Sequence, residues 1–504
     1  MPLPPHLERL LDPAAYQHPA ASVRLIETHI SWVFIAGDYA YKIKKPVDFG
    51  FLDFSTLAKR RFCCNEEIRL NRRLAPDIYL DVVPVTDAGI DDTGDVHEWA
   101  VRMRAFPSDT TLDREAAVTP GQIDAIADRV ARFHSEIEHA PASTEYGSPE
   151  AAMYPVRENF RQTRGMAGLP EAGLDRLEDW SEAEYLRLHD HFATRKTNGC
   201  IRECHGDLHL GNIAWVNDAP LIFDCIEFNP NLRFVDVISE VAFLCMDLIA
   251  RGMEALAWRF LNRYLEHTGD YAGLAALRFY LVYRAMVRAK VAGLRAGQGD
   301  QAAQAESLRY LDLAERLSRP GQTALLLMHG YSGSGKTWLS QQLLEGLGAI
   351  RVRSDVERKR LHELHALADS KETAGDIYTP EATRRTFETL KTQAARLLAE
   401  GYIVIVDATF LGRNLRTTFI ELAESSRVDW QLVSLPTDVE LLRQRISHRL
   451  NRADDASEAD LDVLESQLAH SDPLSGDELA HQVSVAVDDD GSAAVTALRT
   501  RLGL

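Results

Sequence analysis

The sequence predicts two domains in series. Residues 1–318 read as an α+β domain, with a small sheet-rich lobe over about 1–110 and a larger helical lobe over about 111–318. Residues 322–504 read as an α/β domain with a parallel sheet and a helical lid. Three observations carry this. The breaker pair Pro320-Gly321 sits in a short loop-like stretch, Leu317–Thr323, and separates two patterns. Upstream, from Glu254 to Leu317, apolar residues recur with helical period. Downstream, the apolar run Ala324–Met328 enters a Gly-rich turn and then a helical pattern, which is how an α/β unit opens.

The elements of the first domain follow in order. His29–Phe49 reads as two strands joined by a hairpin at Gly37-Asp38. A helix is expected over Thr56–Leu74, then strands over Tyr79–Val85 and His97–Phe106. After about Asp113 the pattern is helical, interrupted by Cys200–Phe228. Composition bounds the function classes. With 504 residues, roughly 150 per domain allows two to four domains. The 56 Lys+Arg against 75 Asp+Glu leave a net charge of −19. That balance argues against long nucleic acid and anionic membrane as partners, so any bound anion needs a local cluster of donors. Six Cys without a C-x-x-C pair suggest a reducing compartment. The start lacks a secretory pattern, and no window of eighteen apolar residues occurs; the apolar stretch Val241–Ala250 contains Asp247 and follows Glu240. A cytoplasmic protein is the expectation.

The second domain carries the more specific motif. Gly330-Tyr331-Ser332-Gly333-Ser334-Gly335-Lys336-Thr337 matches G-x-x-x-x-G-K-[ST] between a strand and a helix. Its glycines let backbone N–H groups cradle phosphates, Lys336 reaches the β/γ-phosphates, and Thr337 suits Mg²⁺. Tyr402–Val406 delivers Asp407 at a strand end, where a carboxylate holds the metal's water shell. Asp355, nineteen residues after Lys336, can accept a hydroxyl proton beside Arg358; it equally suits the N-cap of a helix over Val356–Leu364. Arg443, Arg445, Arg449 and Arg452 crowd a predicted helix, with Arg445, Arg449 and Arg452 on one face. Arginines on a closing lid neutralise transition-state charge; a solvated charged face is the plainer alternative. No N-K-x-D guanine signature occurs in this half. The combination resembles the small P-loop kinases of the polynucleotide kinase, gluconate kinase and zeta-toxin type.

A second phosphotransfer constellation lies upstream. His205-Gly206-Asp207-Leu208-His209-Leu210-Gly211-Asn212 fits H-x-D-x-x-x-x-N. Asp207 can take a hydroxyl proton, Asn212 can ligate Mg²⁺, and Asp224 ends an apolar strand seventeen positions after Asp207, as a metal-binding carboxylate does. Lys42, on the second hairpin strand, suits the α/β-phosphates, and Glu67 on the following helix suits Lys42. Lys44 and Glu66 compete for those roles, because alternation puts Lys42 and Lys44 on one face. His205 and His209 read as loop-orienting residues, with a zinc pair as the rival. Arg284 and Arg288, one turn apart, could face an anionic acceptor or a solvated surface.

These residues resemble the aminoglycoside phosphotransferase and choline kinase branch of the protein-kinase-like fold. The phrases YKIKKPVDFGFLDFSTL, EIRLNRRLAP, CHGDLHLGNI and FDCIEFNPNLRFVDV resemble one subgroup, bifunctional proteins in which such a domain precedes a P-loop kinase domain. The resemblance implies an α+β bilobal protein-kinase-like fold followed by an α/β P-loop NTPase fold. It further implies Met103–Ala105 as an adenine hinge and Asp236 as the aspartate tying the catalytic loop to the helical lobe. Departures are clear: no G-x-G-x-x-G over the phosphates, no glycine after Asp224, no A-P-E segment, and glycine at 206 in place of arginine. They point away from a protein substrate and from activation-loop phosphorylation. The expected activity is transfer of the γ-phosphoryl group of ATP, with Mg²⁺, to small-molecule hydroxyls at two sites. The competing reading is an ATP-binding regulatory module with one site active or neither. Neither acceptor is named by the sequence, and the family label does not imply antibiotic modification.

Overall fold

The structure, a computed structural model, describes residues 3–50, 52–107, 109–115, 117–166, 168–364, 377–449, 458–486 and 490–504. It resolves into two compact units. The first comprises Met1–Ala125, Arg132–Glu158 and Tyr185–Asp247; the second comprises Ile126–Ala131, Asn159–Glu184 and Leu248–Leu504.

In the first unit, five strands form an antiparallel sheet: β1 (Val23–Glu27), β2 (Ser31–Ala36), β3 (Tyr39–Lys44), β4 (Tyr79–Val85) and β5 (Glu98–Arg104), in the order β1-β2-β3-β5-β4. The β2–β3 hairpin turns at Gly37-Asp38, with Ala36 opposite Tyr39 and Ser31 opposite Lys44. Gly37 has φ +55°, and a Cβ there would lie 2.7 Å from the Pro19 carbonyl oxygen, so a side chain is excluded twice over. Alternation divides β3. Tyr41 and Ile43 join a core with Trp32, Phe34, Val83, Val85 and Ala100, while Lys42 and Lys44 face the other way. The helix Leu57–Asn71, N-capped by Thr56, packs on β4 and β5 and contributes Cys64 and Ile68 to a second apolar cluster. Four short strands follow: β6 (Ile201–Glu203), β7 (Ile213–Val216), β8 (Ala219–Ile222) and β9 (Phe234–Asp236). They pair as two antiparallel ribbons, β6 with β9 and β7 with β8. The helix Val237–Ala250 is buried along nearly its whole length.

The second unit contains a five-stranded parallel sheet: β10 (Ala324–His329), β11 (Ile350–Arg353), β12 (Ile403–Asp407), β13 (Asp429–Ser434) and β14 (Gln482–Ser484), ordered β11-β12-β10-β13-β14. Ala324–Met328 is buried at every position, which is why the strand reads as an unbroken apolar run. Leu326, Met328, Ile405 and Val433 meet Leu339, Leu343 and Leu347 of the helix Lys336–Leu347. The parallel sheet and the two-part organisation agree with the sequence. The compact units divide elsewhere than at Pro320. The helices Glu254–Thr268, Leu274–Gly297 and Gln301–Leu317 were expected to close the first domain, but they share the compact unit of the parallel sheet. Pro320 marks a helix-to-strand junction inside that unit. The physical reason lies at the sheet's edge, where the helix Glu254–Thr268 packs against β11 and against the helix Lys336–Leu347. Among the described residues no helix is long and apolar enough to cross a membrane.

Candidate functional site

The first site is built on the loop from His205 to Asn212. Gly206 has φ +90°, and a Cβ there would sit 2.8 Å from the Leu232 carbonyl oxygen and 3.2 Å from Ile226. The position therefore admits glycine where a side chain would force the backbone apart. One helix holds the loop down. Glu240 accepts the N–H groups of His205 (3.1 Å) and Gly206 (2.7 Å) and bonds His134 Nε2 (2.9 Å). Asp247, two turns further on, accepts the Leu210 N–H at 3.0 Å. Burial opposes the Glu240 charge, but the hydrogen bond and charge of His134 outweigh it and hold the carboxyl down at about 2. Glu240→Ala would leave His134 and two buried amides without their acceptor. We expect it to cost about 3–5 kcal/mol in a denaturant unfolding measurement.

Asp207 Oδ2 accepts Asn212 Nδ2 at 3.0 Å and lies 3.4 Å from His209 Nε2, on a side chain 37% exposed. Asn212 Nδ2 also donates to the Asp207 carbonyl, which leaves the Asn212 Oδ1 oxygen as its cation-ligating atom. The two loop histidines bond backbone. His205 bonds the Phe223 carbonyl through Nε2 and accepts the Asp207 N–H at Nδ1, and His209 Nδ1 accepts the Gly211 N–H.

Asp224 follows β8 in a left-handed conformation, φ +67°, and its N–H donates to the Tyr79 hydroxyl at 3.1 Å. A non-glycine residue held there stores strain of about 1–3 kcal/mol, a cost usually met at functional positions. Its carboxylate is 2.5 Å from Lys42 Nζ, which also meets Glu67 Oε1 at 2.9 Å. Lys44 is fully buried behind this pair, 2.7 Å from Glu67 Oε2 and also paired with Glu227. Burial opposes the Glu67 charge, but Lys42 and Lys44 hold it well below the usual carboxylate range, whereas burial pushes Glu227 up. Both lysines thus engage Glu67, and Lys42 is the one that reaches Asp224. Glu66 turns elsewhere, to Arg69 and Arg233.

Met103 lies in β5 and, like Leu221 and Phe223, packs against the apolar cluster of Cys64, Ile68, Tyr79 and Val101; Phe106 stands edge-on to Phe223. The Ala105 N–H already donates to the Asp38 carbonyl at 2.9 Å. Asp236 does not tie the loop down. It takes a bidentate contact from Arg195 (2.8 and 2.5 Å) and caps the Ile238 N–H, while Glu240 and Asp247 anchor the loop. Those two acids are the only charges in the apolar helix Val237–Ala250, and that isolation is the signal that would have found them. Arg284 and Arg288 are not on a solvated face: Arg284 is buried, and Arg288 lies over the Tyr310 ring and 3.9 Å from Glu306.

The second site lies between β10 and the helix Lys336–Leu347. Gly333 and Gly335 have φ +79° and +96°, the left-handed conformations that let the loop curl. Lys336 Nζ donates to the carbonyls of Gly330 (2.9 Å) and Tyr331 (2.7 Å). A cavity of about 540 Å³ opens here, and Gly333, Gly335, Lys336, Thr337, Asp355, Arg358, Asp407 and Arg445 all line it. Arg445 Nη1 donates to the Ser334 carbonyl at 3.2 Å, whereas Arg443 turns to Glu465. The Arg449 side chain and Arg452 lie outside the described residues. Asp355 occupies the first turn of the helix Ser354–Leu361, whose N-cap is Arg353, so Asp355 is not the cap. Arg358 donates to Thr383 (3.0 Å) and stacks over Tyr378, and burial lowers its pKa. A smaller cavity of about 260 Å³ adjoins Ser334 and Gly335, with Leu435, Pro436, Leu442 and Val485 in its wall. Four further residues escaped the sequence reading. Gln467 bonds both the N–H and the hydroxyl of Ser332, Ser340 bonds Asp407, Arg351 bonds the Thr337 carbonyl, and Arg353 lies 3.9 Å from Asp407.

The residues present fit magnesium and a nucleotide. Asn212 with Asp224, and Thr337 with Asp407, are hard oxygen donors of the kind Mg²⁺ takes. The Ser334 hydroxyl is buried without a partner, an atom that an anionic oxygen would satisfy.

Comparison with known proteins gives two family matches. The family model for the phosphotransferase enzyme family matches residues 64–280, and that for an AAA domain matches residues 325–474. Uncharacterized proteins of Mycobacterium bovis and Mycobacterium tuberculosis are 31% identical over 437 residues, covering 86% of this chain and 87% of theirs. Among solved structures, aminoglycoside 2′-phosphotransferase-IIIa is 17% identical, covering 60% of this chain and 94% of that one, with a TM-score of 0.40. A choline/ethanolamine kinase family protein from Mesorhizobium loti is 13% identical over 60% and 89%, with a TM-score of 0.39. A gluconokinase from Sinorhizobium meliloti is 21% identical over 36% and 96%, with a TM-score of 0.27. On the two matched segments and its 31% identity to the mycobacterial relatives, the chain belongs to the family of those proteins, in which a phosphotransferase-family segment precedes a kinase-like AAA segment.

Proposed function

We propose that this phosphotransferase has two nucleotide sites, each moving the γ-phosphoryl group of ATP to a hydroxyl of a small-molecule acceptor. One observation supports the reading: each site sets a further carboxylate beside the residues that we assign to phosphate and metal. In the first, Asp207 stands 3.0 Å from Asn212, with the Lys42–Asp224 pair completing the set. In the second, Asp355 lines the cavity that Lys336, Thr337 and Asp407 also line. A module that only senses ATP has no use for a base at either place.

In the first site Asp207 takes the acceptor's hydroxyl proton, oriented by Asn212 Nδ2. Lys42 holds phosphate oxygens, and Glu67 keeps Lys42 in place. Asn212 and Asp224 would hold Mg²⁺, which would neutralise phosphate charge. Met103, Leu221 and Phe223 give the nucleobase an apolar face. In the second site the loop amides and Lys336 hold the phosphates, Thr337 and Asp407 the metal, and Arg445 offsets charge from the lid. Asp355 serves as base beside Arg358. Arg449 is assigned with Arg445 on helical spacing alone. The smaller apolar cavity beside Ser334 suits the nucleobase. The family segments at 64–280 and 325–474 would then correspond to two functional domains, about 1–318 and 322–504.

Labelled ATP with a pool of small metabolites tests this. The parent should label acceptors of two classes, Asp207→Asn should lose one class, and Lys336→Ala and Asp355→Asn should both lose the other. Unchanged products in all three variants would defeat the two-site mechanism. Tight ATP binding with no transfer to any pool would favour the regulatory reading instead.

A further inference from the structure

β11 is an edge strand of the parallel sheet, and the helix Glu254–Thr268 completes it. Asn262 Nδ2 donates to the Ala349 carbonyl (2.9 Å), and its Oδ1 accepts the Arg351 N–H (2.7 Å), so one side chain stands in for a neighbouring strand. One turn later Glu266 lies buried against two arginines of β11. Arg351 Nε and Nη2 donate to Glu266 Oε1 at 2.9 and 2.6 Å, and Arg353 Nη1 donates to Oε2 at 3.4 Å. Burial opposes the Glu266 charge, but the two guanidinium groups more than offset it and keep the carboxyl below its ordinary range.

The other end of the Arg351 guanidinium reaches the phosphate loop's helix. Nη1 donates to the Thr337 carbonyl at 3.2 Å and to Ser340 Oγ at 3.0 Å, and the Ser340 hydroxyl donates to Asp407 Oδ2 at 3.1 Å. Arg353 stands between two carboxylates, with its Nε 3.9 Å from Asp407 Oδ2. Glu266 therefore places one buried negative charge against both arginines. Without it, Asp407 is the carboxylate already within reach of Arg353, and an arginine paired with Asp407 competes with a cation for the same oxygens.

We propose that Glu266 is a positioning residue for the phosphate-loop site: through Arg351 it fixes Thr337 and Ser340, and by holding Arg353 it leaves Asp407 to the divalent cation. The proposal rests on reading Thr337 and Asp407 as the cation-holding pair. Glu266 lies within the residues 64–280 matched by the phosphotransferase family, so a residue of one family segment serves the site of the other.

The test is equilibrium binding of a fluorescent ATP analogue to the full chain, titrated with Mg²⁺. The share of binding lost in Lys336→Ala belongs to the phosphate loop. For that share, Glu266→Gln should raise the Mg²⁺ concentration at half-saturation by about tenfold or more, the usual effect of removing an outer-shell partner. Metal-free binding should stay near the parental level, and high Mg²⁺ should restore the rest. Adding Arg353→Met should return the midpoint toward the parent, because it removes the competing cation; a purely structural defect would answer to neither. If Glu266→Gln does not fold, Glu266→Asp, which keeps the charge but shortens its reach, should show a smaller shift in the same direction. A midpoint within about twofold of the parent in a folded variant overturns the proposal. So does a shift that Arg353→Met leaves in place. Failure of the underlying reading looks different: Asp407→Asn would then leave the Mg²⁺ dependence of the Lys336-sensitive share intact.

Discussion

Asp207→Asn is expected to lower phosphoryl transfer at the first site by about 10²–10⁴-fold while leaving ATP binding near its parental level. The substitution keeps the shape of the side chain, and its amide oxygen can still accept the Asn212 Nδ2 bond that the carboxylate accepts at 3.0 Å. The loop's supports lie elsewhere, in Glu240, Asp247 and the two histidines, so the fold should persist. What is lost is the ability to take a proton, which an amide does not have near neutral pH. Lys42, Glu67 and Asp224 are untouched, so nucleotide affinity has no reason to fall. The measurement is transfer of label from γ-labelled ATP to the metabolite pool in a Lys336→Ala background, which silences the second site, paired with equilibrium ATP binding. Turnover within a few-fold of the parent would remove Asp207 from the base role. Loss of binding together with turnover would instead make it part of the metal shell.

Much of the first site was legible because its chemistry is tied to local pattern. The alternation of β3 put Lys42 and Lys44 on one face, and both do turn to Glu67. The sequence could not choose between them, since the choice depends on which side chain stands nearer Asp224, 182 positions away in the chain. The same limit applied to Glu66 and Glu67, adjacent on one helix, where the partner residues decide which points inward. The loop's anchoring was misread for a different reason. Asp236 sits just before an apolar helix and pairs with Arg195, while the loop amides reach past it to Glu240 and Asp247. A buried amide needs an acceptor wherever the fold brings one, and only the folded chain states which acid arrives. The two acids interrupting an otherwise apolar helix were visible as charges. Their partners, loop amides more than thirty positions away in the chain, were not.

The phosphate loop shows the opposite balance. Its glycines, its lysine and the two flanking strands were all in the sequence, because this motif is one continuous turn with fixed conformational demands. Asp407 and Asp355 followed from their positions at strand ends, which parallel sheets place on one edge. Arg351 and Arg353 were missed. Nothing in the alternation of a four-residue strand announces the helix Glu254–Thr268, which lies against that edge where Arg351 is buried and Arg353 half-buried. The extent of the compact unit and the omission of these arginines have one cause, the packing of that helix on the sheet edge. Pattern changes at Pro320, but packing does not stop there.

That packing predicts what happens when the chain is cut at the apparent seam. A fragment of residues 320–504 should be insoluble, or should lack the cooperative thermal transition of the full chain. Removing the upstream helices takes away Asn262, which satisfies the Ala349 carbonyl and the Arg351 N–H, and Glu266, the partner of Arg351. It takes away Trp258, packed on the apolar cluster that includes Leu347 and Ala349, and the Tyr271 hydroxyl that donates to the Arg351 carbonyl at 3.2 Å. It also removes the Leu274 carbonyl that accepts the Tyr402 hydroxyl at 2.9 Å. What remains is an open edge strand bearing Ile350 and Val352, both fully buried in the whole chain and both suited to pairing with a second copy. Domains hold only about 5–15 kcal/mol in reserve, and losing one buried ion pair with its hydrogen bonds already takes a large part of that. A longer fragment, 251–504, restores the helix Glu254–Thr268 and should recover solubility and Lys336-dependent ATP binding that the shorter one lacks. If 320–504 stays monomeric and melts as cooperatively as the full chain, the upstream helix is dispensable to the P-loop fold. The P-loop fold would then be complete from Pro320 onward.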